Sequence, residues 1–170
     1  FLGMMLVFEP KEADIMIRPP RDPRASILDR VVIVRICIVA LIMLAGAFGS
    51  FNWALNQGMS DEAARTVAVT VFVVVEIFYL FNCRSLTRSM LSVGLFSNRW
   101  IAAGILGMIG LQLAFIYAPF MNVAFGTAPF GWDAWWRIVL TGIVTYTVVG
   151  VEKGLRMLLR RQRNPKSNRA

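Results

Sequence analysis

The sequence contains no histidine and only two cysteines, Cys37 and Cys83. Two cysteines without histidine cannot complete a tetrahedral zinc site, and they provide no framework of disulfides. We therefore interpret both as packing residues. The sequence also lacks a glycine-rich phosphate loop and a nucleophile paired with a base, so no catalytic or cofactor-binding residue is predicted within the chain.

Charged residues are scarce too, at 16% of the 170 residues, whereas 57% are hydrophobic and the mean hydropathy is +0.61. An apolar excess combined with a net charge of +8 is typical of a membrane protein. A hydrocarbon core about 30 Å thick requires roughly 20 apolar residues per helix. The sequence therefore predicts an all-α fold, a polytopic membrane helical bundle. Its four full transmembrane helices are expected near residues 31–55, 66–82, 100–121 and 134–151.

The opening run, residues 1–8, is apolar but short. Eight helical residues cover only about 12 Å, which is too little to cross a membrane. The run has neither a basic flank nor a small-residue cleavage site, so it is not a signal peptide. We expect residues 1–8 to be the end of a truncated transmembrane helix that precedes the four-helix membrane domain of residues 31–151, and the chain to be a fragment.

Most of the 18 lysines and arginines lie in three segments, residues 9–30, 83–99 and 152–170. Basic residues are retained on the cytoplasmic side of a membrane, so the first loop, the third loop and the C-terminus are predicted to be cytoplasmic. Anionic lipids are the simplest partner for the basic cytoplasmic tail, residues 152–170. Nucleic acid is not expected, because the tail lacks base-stacking aromatic residues.

Glu76 is the one carboxylate within a predicted span. It lies about 15 Å from the outer start of its helix at Thr66, near the middle of the membrane. An ionisable group at that depth costs roughly several kcal/mol unless it meets a cation, a proton or a hydrogen-bond partner. The sequence leaves two interpretations open: Glu76 binds a cation or carries a proton, or it is a protonated side chain that ties helices together.

Small residues in the first span form two pairs at a spacing of four. Such pairs let another helix approach the backbone closely, so a helix-packing role is predicted for Ala45 with Gly49 and for Gly46 with Ser50. Three polar side chains lie at mid-depth in the later spans and could meet there: Gln112, Thr141 and Thr145. Hydrogen bonds between helices are their ordinary role, and ion coordination is the alternative.

The first loop, residues 9–30, contains four prolines. Proline fixes φ and favours an extended backbone, so we predict a stiff segment with projecting charged side chains. Considered alone, the segment is either a linker whose arginines contact anionic lipid, at about 1 kcal/mol per basic residue, or a strut that transmits force.

Three runs in this region, Phe8–Pro10, Ala13–Met16 and Arg18–Pro23, resemble the loop between the sixth and seventh transmembrane helices of type II P-type ATPases, the calcium and sodium–potassium pumps. Their order, their spacing and their position directly after a span all agree with that family. The resemblance covers essentially the whole chain and continues at residues 73–76, 117–119, 135–136 and 152–153.

The resemblance implies roles for particular residues. In the family this loop contacts the phosphorylation domain and couples it to the transport sites, which implies a coupling role for Asp14, Arg18, Arg21 and Asp22. Calcium pumps carry an ion-coordinating glutamate at the position of Glu76, and sodium pumps a glutamine. Three residues later those pumps have Asn or Asp, whereas this chain has Tyr79, a weak neutral ligand. The family also implies that the fifth helix packs on the small residues of the first span.

The implied function is that of a C-terminal membrane support domain of an ATP-driven cation pump, contributing to cation transport across a bacterial inner membrane. The parent pump would form an aspartyl phosphate from ATP and Mg²⁺. Its remaining transmembrane helices, its phosphorylation domain and the transported cation would be the partners of this chain. The family's phosphorylation motif does not occur here, so the fragment alone should not hydrolyse ATP. The alternative is a standalone four-helix membrane scaffold or small transporter subunit.

Overall fold

A computed structural model of the chain describes residues 2–8, 30–83 and 99–163. Across these ranges the chain is helical and contains no strand. The elements are α1 (Leu2–Met5), a 3-10 turn (Leu6–Phe8), α2 (Arg30–Asn56), α3 (Asp61–Cys83), α4 (Arg99–Tyr117), α5 (Pro119–Phe125) and α6 (Trp132–Arg163).

Four of these helices are long and apolar enough to cross a membrane. The spanning segments are Val32–Asn56, Asp61–Cys83, Arg99–Tyr117 and Trp132–Arg156. In lipid, a helix satisfies all its backbone polar groups internally, which is why an apolar chain of this kind folds into helices. The predicted all-α, polytopic membrane helical bundle is confirmed.

The turn between α2 and α3 places the start of α3 earlier than the apolar pattern indicates. Gly58 adopts a positive φ of 76°, and the hydroxyl of Ser60 accepts a hydrogen bond from the backbone N–H of Ala63 at 3.3 Å. That bond caps the helix, which therefore begins at Asp61 rather than at the predicted residue 66. The acidic residues Asp61 and Glu62 in the first turn complement the helix dipole.

The third apolar run was expected to form one helix over residues 100–121, but α4 ends at Tyr117 and α5 begins at Pro119. Proline has no N–H to donate to the carbonyl four residues earlier, which belongs to Phe115. The hydroxyl of Thr127 donates to that carbonyl instead, at 2.8 Å. The chain therefore turns back at the end of α4, and Gly126, with a φ of 62°, closes α5. This end of the bundle, which α4 shares with the starts of α3 and α6, is called the outer end and the opposite one the inner end, as labels taken from the predicted orientation.

The core lies around α3, which packs most closely against α6 and α2. Val67, Val71 and Val75 recur every four residues on one face of α3, and each is fully buried. Side chains from the other long helices complete this core: Ala47, Ile116, Ala134 and Ile138, with Phe130 from the outer loop. Lipid tails are as apolar as these side chains, so close packing and interhelical hydrogen bonds stabilise the bundle.

The first helix packs against the inner end of α4. A Cβ atom added to Gly104 would lie 2.7 Å from Cγ of Met5, so the glycine permits this close approach. The rings of Phe8 and Trp100 pack with their centroids 5.2 Å apart. Residues 2–8 therefore belong to the bundle although they are too short to span a membrane.

Candidate functional site

Glu76 lies on the face of α3 that the other described helices leave uncovered. Phe72 and Val69, one and two turns before it on the same face, are 40% and 42% exposed. Glu76 is also exposed. The opposite face carries the fully buried valines of the core, so the packing of α3 against α2 and α6 directs Glu76 away from the bundle.

The carboxylate of Glu76 forms no hydrogen bond or ion pair with any residue in the described ranges. Nor do His, Cys, Asp or Glu side chains gather in groups of three or more anywhere in this part of the chain. A cation bound at Glu76 would therefore need ligands beyond the residues described. The role of Glu76 as a cation ligand, proton carrier or packing residue stays a prediction.

An apolar groove lies beside Glu76 between α2 and α3. It has a cavity volume of about 270 Å³, and its lining residues are Ala47, Phe48, Phe51, Ala68 and Phe72. Phe72 precedes Glu76 by one helical turn, so the groove and the carboxylate share one face of the bundle. All five lining residues are apolar, so the groove suits apolar side chains of another helix.

The two small-residue pairs of α2 point in different directions. Gly46 faces the bundle, where an added Cβ would lie 2.5 Å from Cγ2 of Thr141 and 3.3 Å from Cγ1 of Val71. Its partner Ser50 is buried. Ala45 and Gly49 are exposed, and no atom lies within 4 Å of a Cβ built on Gly49. One pair thus packs α2 against α3 and α6, whereas the other pair is open.

The three mid-depth polar side chains do not form one cluster of hydrogen bonds. The Nε2 of Gln112 donates to Oγ1 of Thr70 at 2.9 Å, which ties α4 to α3 in the interior. The hydroxyls of Thr141 and Thr145 donate to carbonyls of their own helix, those of Arg137 and Thr141. Of the three, Gln112 alone makes a hydrogen bond between helices among the described residues.

The predicted coupling residues Asp14, Arg18, Arg21 and Asp22 lie outside the described residues. Tyr79, in contrast, is described, and it lies beside Cys83 with Arg35 and Glu152 close enough for electrostatic interaction. It therefore contributes to the inner end of the bundle. Glu76, in contrast, lies on the exposed face of α3.

One arrangement at that inner end was not predicted. Nε and Nη2 of Arg35 donate to Oε2 of Glu152 at 3.2 and 3.0 Å, and Arg156 binds the other carboxylate oxygen. Because 117 positions separate Arg35 from Glu152, only the packing of α2 against α6 reveals the pair.

The outer end contains a second set of contacts that the sequence did not specify. Nε1 of Trp135 donates to the hydroxyl of Tyr117 at 3.0 Å, and that hydroxyl donates to the carbonyl of Phe130 at 3.1 Å. The guanidinium of Arg137 lies 4.4 Å from the ring centroid of Trp53. These contacts hold the outer loop against the ends of α2, α4 and α6.

Comparison with known proteins identifies a family model described as cation transporting ATPase, C-terminus, which matches residues 1–155. A probable cation-transporting ATPase F from Mycobacterium tuberculosis (strain H37Rv) is 46% identical over 151 residues, 89% of this chain and 17% of that protein. Calcium-transporting ATPase type 2C member 2 of Rattus norvegicus is 36% identical over 120 residues, 70% of this chain and 13% of that protein.

Calcium-transporting ATPase type 2C member 1 of Homo sapiens is 33% identical over 119 residues, which cover 70% of this chain and 13% of that protein. The chain therefore spans between 13% and 17% of the length of these relatives. The matched residues 1–155 contain the four spanning helices nearly in full.

Proposed function

Because the chain belongs to the C-terminal region of the cation-transporting P-type ATPases, we propose that it is the membrane support domain of an ATP-driven cation pump. In that protein α2, α3, α4 and α6 are the seventh to tenth transmembrane helices, and residues 2–8 end the sixth. ATP hydrolysis with Mg²⁺ takes place in domains outside this chain. The single observation that carries the proposal is the family match over residues 1–155, and the exposed carboxylate of Glu76 on an uncovered face of α3 supports a position for it beside the ion path.

The uncovered face is the surface on which the remaining transmembrane helices pack. An ionised carboxylate facing lipid at this depth is costly, so Glu76 requires either a cation or polar groups from another helix. The groove beside it and the open pair Ala45 and Gly49 extend this contact surface along α2. By family resemblance the fifth helix occupies it and completes the ion path next to Glu76.

Calcium is the first cation to test, since two of the relatives are named as calcium transporters. Glu76 supplies the hard, charged oxygen that Ca²⁺ prefers. Tyr79 is directed towards the inner end of α3, so the helix offers one charged ligand. Further ligands would come from the other helices of the pump.

The first loop is the coupling element in this proposal, with Asp14, Arg18, Arg21 and Asp22 in contact with the phosphorylation domain. The pump lies in a bacterial inner membrane, with this loop, the third loop and the C-terminus in the cytoplasm. Charge placement supports that orientation, because the basic residues concentrate in those three segments.

A phosphorylation assay on the full-length protein tests the proposed function. The purified protein should incorporate phosphate from radiolabelled ATP into an acid-stable, hydroxylamine-labile acyl phosphate, and the transported cation should change its level. Absence of such a phosphoenzyme from a folded, membrane-inserted protein would contradict the pump and favour the standalone scaffold. The upstream coding sequence provides a second check, because the pump requires a long open frame that continues into residue 1.

A further inference from the structure

Two arginines share one carboxylate at the inner end of the bundle. Glu152 accepts hydrogen bonds from Arg35 on Oε2 and from Arg156 on Oε1, so both of its oxygens are occupied. The side chains of Arg35 and Glu152 are only 12% and 15% exposed. One negative charge therefore faces two positive charges in a mostly buried group, which leaves an excess of one positive charge.

A neighbouring lysine contributes a further positive group to this cluster. Lys153 follows Glu152 directly and is buried, and its Nζ donates to the main-chain carbonyl of Asn82 at 3.3 Å. The side-chain amide of Asn82 donates in turn to the carbonyl of Tyr146. Within the described ranges, Glu152 is the one carboxylate that hydrogen bonds in this cluster, which draws on α2, α3 and α6.

Arg156 carries a donor that nothing described satisfies. Its Nη1 is buried and has no hydrogen-bond partner among the residues that the structure describes. A buried guanidinium N–H without an acceptor costs free energy, and a charged acceptor recovers the most. The group most suited to this position is an oxyanion, since it satisfies the donor and balances the excess charge together.

The surroundings of Arg156 favour an oxyanion that carries hydrocarbon chains. Val151 and Leu155, on the adjoining face of α6, are 55% and 57% exposed, and Val148 continues this strip towards the middle of the membrane. The side chain of Arg156 itself is 25% exposed, so its guanidinium reaches this edge of the bundle, and a rotation of the side chain would bring the buried Nη1 to an anion bound there. Arg35 lies about 7 Å along its helix from Arg30, near the boundary between headgroups and acyl chains.

We propose that Arg35, Glu152 and Arg156 form a binding site for the phosphate of an anionic phospholipid, with its acyl chains along Val148, Val151 and Leu155. The phosphate oxygen accepts from Nη1 of Arg156, and Glu152 holds the two guanidinium groups in position. The site is separate from Glu76, and it does not depend on which cation the protein transports. Bound lipid would join the ends of α2 and α6 to the membrane surface.

Lipid retention by the purified full-length protein tests this site. The protein in phospholipid-free detergent is titrated with phosphatidylglycerol, and bound lipid is counted by native mass spectrometry. Arg156→Gln should weaken the tightest lipid-binding event by about tenfold or more, since one charge-assisted hydrogen bond is worth at least that factor. Arg65→Gln is the matched control. It removes the same charge from an exposed side chain near the start of α3, at the end of the bundle opposite to Arg156.

Competition on the unaltered protein separates the possible sources of the phosphate. Diacylglycerol, which has the chains without the phosphate, should not displace phosphatidylglycerol, and neither should millimolar inorganic phosphate. Displacement by inorganic phosphate would overturn the lipid in favour of a free anion, and displacement by diacylglycerol would show that the chains alone bind. Equal retention by Arg156→Gln and Arg65→Gln would also overturn the site. If Arg156→Gln does not fold, the competition results decide.

Discussion

Gln112 and Thr70 are joined by a buried hydrogen bond of 2.9 Å, which connects α4 to the central helix α3. Two further hydrogen bonds follow. The hydroxyl of Thr70 donates to the main-chain carbonyl of Thr66, and the hydroxyl of Thr66 accepts from the backbone N–H of Ala128. A series of hydrogen bonds thus runs from the middle of the bundle to the outer loop. It positions α4 and the outer loop relative to the helix that carries Glu76.

Replacing Gln112 with Leu should destabilise the bundle by about 1 kcal/mol, the usual size of one hydrogen bond between membrane helices. Thr70→Val should have a similar effect. The double variant should lower the free energy of unfolding by less than the sum of the two single changes. The free energy of unfolding in mixed micelles measures each variant. A double-mutant cycle with no coupling would show that the pair does not stabilise the bundle.

Gly46 and Gly49 provide a matched pair in one helix. Gly46→Ala should lower the thermal stability, because the new Cβ would lie 2.5 Å from Cγ2 of Thr141. Gly49→Ala meets open space and should be neutral or stabilising, by up to about 1 kcal/mol, since alanine favours helix. Melting temperatures in detergent compare the two variants. Equal effects would contradict the arrangement of α2.

In the full-length protein, the open face of α2 around Gly49 should not tolerate a larger side chain. Gly49→Leu adds bulk where we propose that another helix docks, so turnover or assembly of the full-length protein should fall. Normal turnover of Gly49→Leu would indicate that this face meets lipid.

Removal of Glu152 should be more harmful than removal of Arg35. Glu152→Gln leaves two guanidinium groups without their shared carboxylate, whereas Arg35→Gln leaves Arg156 to pair with it. Breaking a fully buried ion pair costs about 3–5 kcal/mol, and the partial exposure of these side chains places the expected cost of Glu152→Gln nearer to 2 kcal/mol. Unfolding free energies of the two variants decide the order. A larger effect for Arg35→Gln would contradict the shared carboxylate.

The coupling loop gives a prediction about catalysis rather than stability. Changing Asp14 and Arg18 to Ala in the full-length protein should lower ATP turnover, because contact with the phosphorylation domain would be lost. Expression, membrane insertion and cation affinity at equilibrium should be preserved. ATPase rates normalised to correctly assembled protein provide the measurement, and an unchanged rate would count against the loop as a coupling element.

Hydropathy predicted the all-α fold and its four spanning helices, since a spanning helix must be about 20 residues long and largely apolar. Helix ends were predicted less well. The cap at Ser60 and the proline at position 119 act locally and shift boundaries that hydropathy alone places further along.

The packing between helices could not be predicted from the sequence. Hydropathy identified Glu76 and the small pairs of α2, but it could not tell which helix faces would be covered. The ion pair of Arg35 with Glu152 depends on α2 lying next to α6, and positions 117 apart in the chain carry no local signal of that contact. Gln112 was predicted to make a tie between helices, but its partner Thr70 was not predicted.

The proposed role of Glu76 in the ion path is tested most directly by the cation dependence of ATP turnover in the full-length protein with Glu76→Gln. Glu62→Gln is the control, since Glu62 is an exposed carboxylate at the outer start of the same helix. We predict that Glu76→Gln raises the cation concentration for half-maximal activation by about tenfold or more, a loss of about 1.4 kcal/mol in binding, while Glu62→Gln leaves it unchanged. Unaltered cation affinity, turnover and pH dependence in Glu76→Gln would contradict a role for this carboxylate in the ion path.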